Sequence, residues 1–200
     1  MIKIYGPQMS SASRCRWAAE EVGVAYENVE VDMKGGEHKT EAYLKLNPNG
    51  YVPTLVDGNF VMWESFAINQ YLAEKYAPAL CGSSPEERGL VAQWSFWNVA
   101  NLISSLLPIM HHKYRNLPED ESTKTAHENL TKYMGVLDGQ LAGKTFLVAE
   151  RFTLADLNVM TSVILCSYIG VDTSTLKNVT RWAASLSARP AFQKAMPKRA

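Results

Sequence analysis

The sequence predicts a two-domain protein, with a small α/β domain followed by an all-helical one. The first part of the chain alternates strand and helix patterns, in the order β-α-β, α and β-β-α. Residues 78–84 break both periodicities and form the predicted linker. Only helical patterns follow it. A chain of 200 residues accommodates both parts, so we assign residues 1–77 to the first domain and residues 85–200 to the second.

Turn and cap residues delimit the elements of the first domain. Gly23 is a suitable left-handed cap for the first helix, and Asp57-Gly58 is a strong hairpin signal between two strand patterns. A parallel strand pair joined by the first helix should cross over right-handed. The predicted strands are 2–5, 26–31, 52–56 and 59–62, and the predicted helices are 14–22, 41–46 and 65–76.

Two capping boxes mark helix starts in the second domain. Ser84-Pro85-Glu86-Glu87 combines a serine cap, a proline at the first helical position and acids in the first turn. In Thr153-Leu154-Ala155-Asp156, Thr153 can cap the Asp156 amide while Asp156 reaches back to the cap. The predicted helices are 87–114, 123–141, 153–168, 179–188 and 191–195.

Composition excludes several classes of function. Twenty basic and twenty acidic residues cancel, which removes the field that nucleic-acid binders use to collect phosphates. Cys15, Cys81 and Cys166 are scattered without metal-ligand spacing, and adjacent His111 and His112 point in different directions on a helix. No signal-peptide or membrane-spanning pattern is visible. We therefore expect a soluble, cytoplasmic protein without a metal, nucleic-acid or membrane partner.

Five motifs follow one another along the chain. They are Tyr5-Gly6 with Ser10 to Ser13, Gly36 to Lys39, Asn47 to Pro53, Asp57-Gly58 with Trp63 to Ile68, and Phe152 to Asp156. In this order and spacing they resemble the glutathione transferase family over essentially the whole chain, most closely the bacterial serine-type enzymes and the plant phi class. The resemblance implies a thioredoxin-like glutathione-binding domain and a helical domain that forms the electrophile pocket. It also implies a cytoplasmic homodimer of detoxification type, with glutathione as co-substrate and no permanently bound cofactor.

Thiol activation is the chemistry that this resemblance requires. Only the thiolate of glutathione attacks electrophiles well, and a hydroxyl donor at a helix N-terminus favours the anion. Ser10, four residues after Gly6, occupies the family's position for the activating serine. The segment from Ser10 to Gly23 is one residue shorter than the family pattern, so Ser11 is the alternative. Tyr5 is a third candidate, because other classes of the family use a tyrosine near this point.

The loop before the third strand is expected to bind the backbone of glutathione. The resemblance implies that Pro53 is cis and that the backbone N–H and C=O of Val52 pair with the cysteinyl residue in a strand-like manner. An ordinary turn proline is the alternative. Tyr51 stands where the phi pattern has glutamine, and its backbone position is the part expected to matter.

Polar and charged residues at two further places are assigned to the two ends of glutathione. Glu64 would bind the α-amino group of the γ-glutamyl end, and Ser65, at a helix N-terminus, its α-carboxylate. Ser65 as a simple N-cap is compatible with that role. His38 and Lys39 would face the glycine carboxylate, and solvated surface charges are the alternative.

The electrophile pocket is assigned to the helix expected to face the first domain. Its candidate lining residues are Leu106, Met110, His111 and Tyr114, although apolar residues at this spacing also build bundle cores. Other glutathione chemistries, such as peroxidase, isomerase or dehalogenase reactions, remain alternatives, as does a non-catalytic binding module. No cysteine occupies the activating position, which argues against disulfide reduction.

Overall fold

The structure is a computed structural model that describes residues 1–196. It divides into two compact units. The first contains residues 1–81 and the segment from Ala188, and the second contains residues 82–187. The proposed domain boundaries differ from this division, and the last four residues of the predicted range 85–200 lie outside the described residues.

A four-stranded sheet forms the centre of the first unit. Its strands are β1 (Ile2–Tyr5), β2 (Tyr26–Val29), β3 (Thr54–Asp57) and β4 (Phe60–Trp63), in the order β2-β1-β3-β4. β1 is parallel to β2 and antiparallel to β3, and β3 and β4 form the predicted hairpin. Gly58 has φ 61° in its turn, which a glycine adopts without a Cβ penalty.

Both faces of the sheet are covered within this unit. Ile2 and Ile4 of β1 are buried, and Tyr5, on the opposite face, packs edge-on against Tyr43 with ring centroids 6.3 Å apart. The helices of this part are α1 (Ala12–Glu21), α2 (Glu41–Leu44) and α3 (Ser65–Tyr76), with 3₁₀ turns at Glu37–Lys39 and Pro78–Cys81.

The second unit is all-helical in its described residues. Its helices are α4 (Pro85–Trp97), a π-helical segment (Asn98–Ile103), α5 (Ser104–Arg115), α6 (Glu121–Gln140), α7 (Leu154–Tyr168) and α8 (Lys177–Ser187). Throughout residues 1–196, no helix combines the length and apolar character needed to cross a membrane.

The π-helical segment interrupts the single helix predicted over residues 87–114. Pro108 lies within α5 and lacks the N–H of a regular turn. One turn earlier, the Ser104 hydroxyl donates to the carbonyl oxygens of Ala100 and Asn101, at 2.6 and 3.1 Å. Asn98, at the start of the segment, donates from Nδ2 to the Asn158 carbonyl oxygen at 3.0 Å. The bond between Asn98 and Asn158 joins residues distant in sequence, so local periodicity gives no signal for it.

Asp156 connects three parts of the second unit from a fully buried position. Its Oδ1 accepts hydrogen bonds from the Leu147 amide at 2.9 Å and from Trp182 Nε1 at 3.0 Å. Its Oδ2 accepts from the Thr153 amide at 3.0 Å and from the Thr153 hydroxyl at 3.2 Å. Burial raises the pKa of this carboxyl, although all of these bonds favour the carboxylate. The capping motif of α7 therefore has a structural role, because Asp156 links the start of this helix to Leu147 and Trp182.

The last described helix, α9 (Pro190–Ala195), packs on α1. Phe192 meets Trp17 edge-on, with centroids 5.0 Å apart. Arg189 donates two hydrogen bonds of 2.7 Å to the carboxylate of Glu21, the bidentate geometry that makes such pairs strong. These contacts explain why the residues from Ala188 onward cluster with the first unit, whereas the sequence assigned them to the second domain.

Candidate active site

Gly6 allows the loop between β1 and α1 to pass close to its neighbours. Its φ is +140°, and a Cβ there would lie 2.9 Å from Ala12 Cβ and 3.1 Å from Val52 Cβ. The same Cβ would be 3.4 Å from the Ser10 hydroxyl oxygen. Glycine is therefore required here for both conformation and space.

Ser10 lies just before α1, half-buried. Its hydroxyl donates to the Pro7 carbonyl oxygen at 2.6 Å, and its Oγ accepts from the Ala12 amide at 3.2 Å. The oxygen therefore takes up one of the free N–H groups of the helix N-terminus. The hydroxyl hydrogen must turn away from Pro7 before it can be donated to another acceptor.

Ser11 joins the helix N-terminus to the loop before β3. Its hydroxyl donates to the Val52 carbonyl oxygen at 3.0 Å, and its side chain makes no capping bond to α1. The Val52-Pro53 bond is cis, as predicted. The Val52 amide donates to no acceptor within residues 1–196. One backbone donor of this loop is thus free for a ligand.

Two side chains hold the preceding residue of this loop. The Tyr51 carbonyl oxygen accepts from the Tyr43 hydroxyl and from Asn47 Nδ2, both at 2.8 Å. Tyr43 also bonds Thr54 through their hydroxyls at 2.9 Å. The Tyr51 side chain itself is 66% exposed, so its backbone is fixed while its ring faces solvent.

His38 and Lys39 lie in the 3₁₀ turn beside this loop. Lys39 Nζ is 4.8 Å from the centroid of the Tyr51 ring and donates to the Asn49 carbonyl oxygen at 3.3 Å. His38 Nδ1 is buried and has no hydrogen-bond partner among the described residues. Lys39 is exposed and forms no ion pair in this part of the chain, so its charge is available to an anion.

Glu64 precedes α3 in a conformation that costs energy. Its φ of 72° and ψ of 110° lie outside the regions favoured by a residue with a Cβ, at a cost of about 1–3 kcal/mol. Its exposed carboxylate forms no ion pair or hydrogen bond with residues 1–196. Strain of this kind collects at functional sites. Ser65, the first residue of α3, is buried beside it.

Cys15 connects α1 to the start of α3. Its thiol lies 3.6 Å from the Ser65 carbonyl oxygen and 3.9 Å from that of Ser11. Burial raises the pKa of this thiol to about 12, so Cys15 remains a protonated core group. The N-termini of α1 and α3 are consequently neighbours, and Ser10, Ser11, Val52 and Ser65 are brought into one region of the first unit.

The candidate electrophile residues all lie on α5, in the second unit. Leu106, Met110 and Tyr114 follow one another at intervals of four and share a helix face, and His111 is adjacent to it. Leu106 is buried, Met110 half-buried, and His111 and Tyr114 are exposed. Along the described part of the chain, no three His, Cys, Asp or Glu side chains are grouped as metal ligands would be.

Arg16 is the residue near Ser10 that the sequence did not indicate. Its guanidinium donates from Nη2 to the Gly6 carbonyl oxygen, from Nη1 to that of Pro7 at 3.2 Å, and from Nε to Asn28 Oδ1 at 2.5 Å. The side chain is 3% exposed. Arg16 and Arg14 are both charged residues among the buried side chains of α1, and a charge in such a position is the signal that could have marked Arg16.

Comparison with known proteins identifies two family domains in the chain. Residues 2–74 match the glutathione S-transferase N-terminal domain, and residues 101–190 match the glutathione S-transferase C-terminal domain. Glutathione S-transferase F9 of Arabidopsis thaliana is 34% identical, over 99% of this chain and 97% of the relative. Glutathione S-transferase 3 of Zea mays is 33% identical, over 96% and 92%.

Solved structures agree over the same length. A theta class glutathione S-transferase of Xanthomonas axonopodis pv. citri, with glutathione bound, has a TM-score of 0.88 at 35% identity, covering 99% of this chain and 98% of that one. Glutathione transferase F2 of Populus trichocarpa has a TM-score of 0.88 at 29% identity, covering 98% and 97%. The thioredoxin-like domain followed by a helical domain is thereby confirmed. The chain belongs to the glutathione S-transferase family, is phi-like, and is a glutathione transferase.

Proposed function

We propose that this enzyme converts the thiol of glutathione to a thiolate at Ser10 and transfers it to small hydrophobic electrophiles, as a detoxification enzyme does. Glutathione is the co-substrate, and no other cofactor is needed. One observation carries the proposal: the helix N-terminus with Ser10 and Ser11, the loop with Val52, and the start of α3 adjoin within one unit. The bound glutathione of the Xanthomonas relative supports the choice of ligand.

Ser10 supplies the hydroxyl that activates the thiol. A free thiol has a pKa of about 8.5, and lowering it by about two units requires about 2.7 kcal/mol of preference for the anion. A charge-assisted hydrogen bond at a helix N-terminus contributes much of that preference. The Ser10 oxygen already accepts from the Ala12 amide, which polarises its O–H bond toward an incoming sulfur.

Ser11 has a different task in this proposal. Its hydroxyl fixes the Val52 carbonyl oxygen, so the backbone of Val52, beside cis Pro53, is oriented for the cysteinyl residue of glutathione. The free Val52 amide supplies the matching donor. Ser11 remains the alternative activating residue, because its hydroxyl lies at the same helix terminus.

The ends of glutathione are assigned to opposite sides of this centre. The free carboxylate of Glu64 binds the α-amino group, and the hydroxyl and amide of Ser65 bind the α-carboxylate. Lys39 and His38 bind the glycine carboxylate, with the fixed backbone of Tyr51 beside them.

The electrophile contacts Leu106, Met110, His111 and Tyr114 of the helical domain. The proposed domains are residues 1–77 and 85–200, joined by 78–84. A cytoplasmic location is supported by Cys15 and Cys166, buried thiols that form no disulfide among the described residues. A homodimer is supported by the exposed apolar side chains of the edge strand β4, at residues 60, 61 and 63.

Paired serine variants test the proposal. Ser10→Ala should lower kcat toward a chlorinated nitrobenzene by at least about tenfold while glutathione affinity, measured by calorimetry, changes little. Ser84→Ala is the matched control, because Ser84 also caps a helix by accepting from an amide, that of Glu87, at 3.2 Å. It should change stability and leave the rate unchanged.

Four outcomes would contradict parts of the proposal. A loss of rate in Ser11→Ala in place of Ser10→Ala would reverse the two roles. An unchanged KM for glutathione in Glu64→Ala would remove Glu64 from the site. Binding without turnover would favour another glutathione reaction, and no binding at millimolar glutathione would overturn the function.

A further inference from the structure

Arg16 places a buried cation beside the loop that carries Ser10. Its guanidinium reaches two consecutive loop carbonyls, those of Gly6 and Pro7, and fastens them to Asn28 of β2. A guanidinium offers five donors in a fixed fork, so one side chain can hold both carbonyls. No carboxylate of the described residues lies within 4.0 Å of it.

Arg16 and Ser10 share one acceptor. The Pro7 carbonyl oxygen receives the Ser10 hydroxyl at 2.6 Å and Arg16 Nη1 at 3.2 Å. A carbonyl oxygen has two lone pairs and accommodates both donors. When the Ser10 hydroxyl turns toward a sulfur, Pro7 keeps the bond from Arg16. The rotation therefore leaves no buried acceptor without a partner, a state that proteins avoid.

We infer that Arg16 is a positioning residue that frees the Ser10 hydroxyl for the glutathione thiolate. The inference rests on the proposed role of Ser10. Without Arg16, the Pro7 carbonyl would depend on Ser10 alone and would retain its hydroxyl. The thiolate would then lose its donor, although the contacts to the ends of glutathione would remain.

The guanidinium of Arg16 has few charged neighbours at neutral pH. The titratable groups that act on it are Tyr26 and Glu30 on the β2 side and Cys15 on its own helix. Burial lowers the pKa of Arg16 and raises the pKa values of Tyr26 and Cys15 to about 12, so those two side chains are neutral at pH 7.

The pKa of the bound thiol tests the inference directly. It can be measured from the ultraviolet absorbance of the thiolate in the enzyme–glutathione complex, without turnover. Arg16→Gln should raise this pKa by about one unit, which is about tenfold less thiolate at a pH below both values. Its affinity for glutathione should stay within about twofold of the wild-type value, because the assigned binding contacts remain. Arg16→Lys keeps the charge and one donor, so its thiol pKa should lie near that of the wild-type enzyme.

Arg189→Gln is the matched control. It removes a partly buried arginine that also bonds α1, through Glu21 at the C-terminal end of that helix. It should lower stability without moving the thiol pKa. If Arg16→Gln does not fold, Arg16→Met replaces it, because methionine also removes the charge and the donors to the Gly6 and Pro7 carbonyls, and it should raise the thiol pKa by the same amount.

The double variant separates this inference from the proposed function. If Arg16 acts through Ser10, adding Arg16→Gln to Ser10→Ala should leave the thiol pKa of Ser10→Ala unchanged. A wild-type pKa in Arg16→Gln, or fully additive shifts, would overturn the positioning role and leave the role of Ser10 intact. A wild-type pKa in Ser10→Ala would instead overturn the proposed function, and the inference with it.

Discussion

Replacement of Asp156 by alanine should be among the most destabilising single changes in the helical unit. The carboxylate accepts from the Leu147 amide, the Thr153 amide and Trp182 Nε1, and all three donor residues are at least 97% buried. Alanine leaves these donors without an acceptor, and each such loss costs about 1–3 kcal/mol. The sum is about 3–9 kcal/mol.

We expect the loss of unfolding free energy to lie in the lower half of that range. Burial raises the pKa of Asp156, so the ionised carboxylate carries a desolvation cost that alanine removes. We therefore expect a loss of about 4 kcal/mol, a large part of the 5–15 kcal/mol typical of native proteins. Asp156→Asn keeps one acceptor oxygen and should lose about half as much.

Urea unfolding would measure both variants. Far-ultraviolet circular dichroism and tryptophan fluorescence should be followed together, because coincident transitions are needed to assign one free energy to a chain with two units. A loss below about 1 kcal/mol in Asp156→Ala would refute the reasoning, since it would mean that the three donors find other partners.

Three further predictions concern other parts of the molecule. Gly6→Ala should cost about 2–4 kcal/mol and lower kcat, because a methyl there lies 2.9 Å from the nearest carbon at a φ of +140°; a neutral effect on urea midpoint and rate would contradict the close packing. The hydrogen bond from Arg151 lowers the pKa of Glu87 to about 2, from 4.5. Stability from this pair should be present above pH 4.5 and fade as the pH falls toward 2, so the difference in urea midpoint between wild type and Glu87→Gln should shrink from pH 5 to pH 3. Cys15 and Cys166, whose pKa values burial raises to about 12, should resist an aromatic disulfide reagent at pH 7.5 until urea unfolds the chain; rapid labelling of the native protein would show that they are accessible.

Local sequence patterns predicted the helices and strands. The bounds of α3 agree with the prediction, since the helix spans residues 65–76. The third strand was expected from residue 52 and begins at Thr54. Pro53 has no N–H to donate to a ladder, so the strand begins after it. Val52 and Pro53, the first two residues of the expected strand, therefore belong to the preceding loop.

Contacts between distant residues could not be predicted from local patterns. The bond from Asn98 to Asn158 spans sixty positions, and it accompanies the π-helical segment that periodicity does not reveal. Ser10, Val52 and Ser65 were assigned through motif resemblance, and their proximity depends on tertiary packing. Arg16 belongs to no motif, because two of its three acceptors are backbone carbonyls, which any residue type supplies.

Because α9 belongs to the first unit, the helical unit lies between two parts of the first unit along the chain and is synthesised between them. Trp17 and Glu21 leave the ribosome early, whereas Phe192 and Arg189 follow only after the second unit has been made. The side of α1 that contacts α9 therefore stays uncovered while more than a hundred residues between Gly82 and Ser187 are translated. The final packing of α1 is thereby coupled to completion of the helical unit.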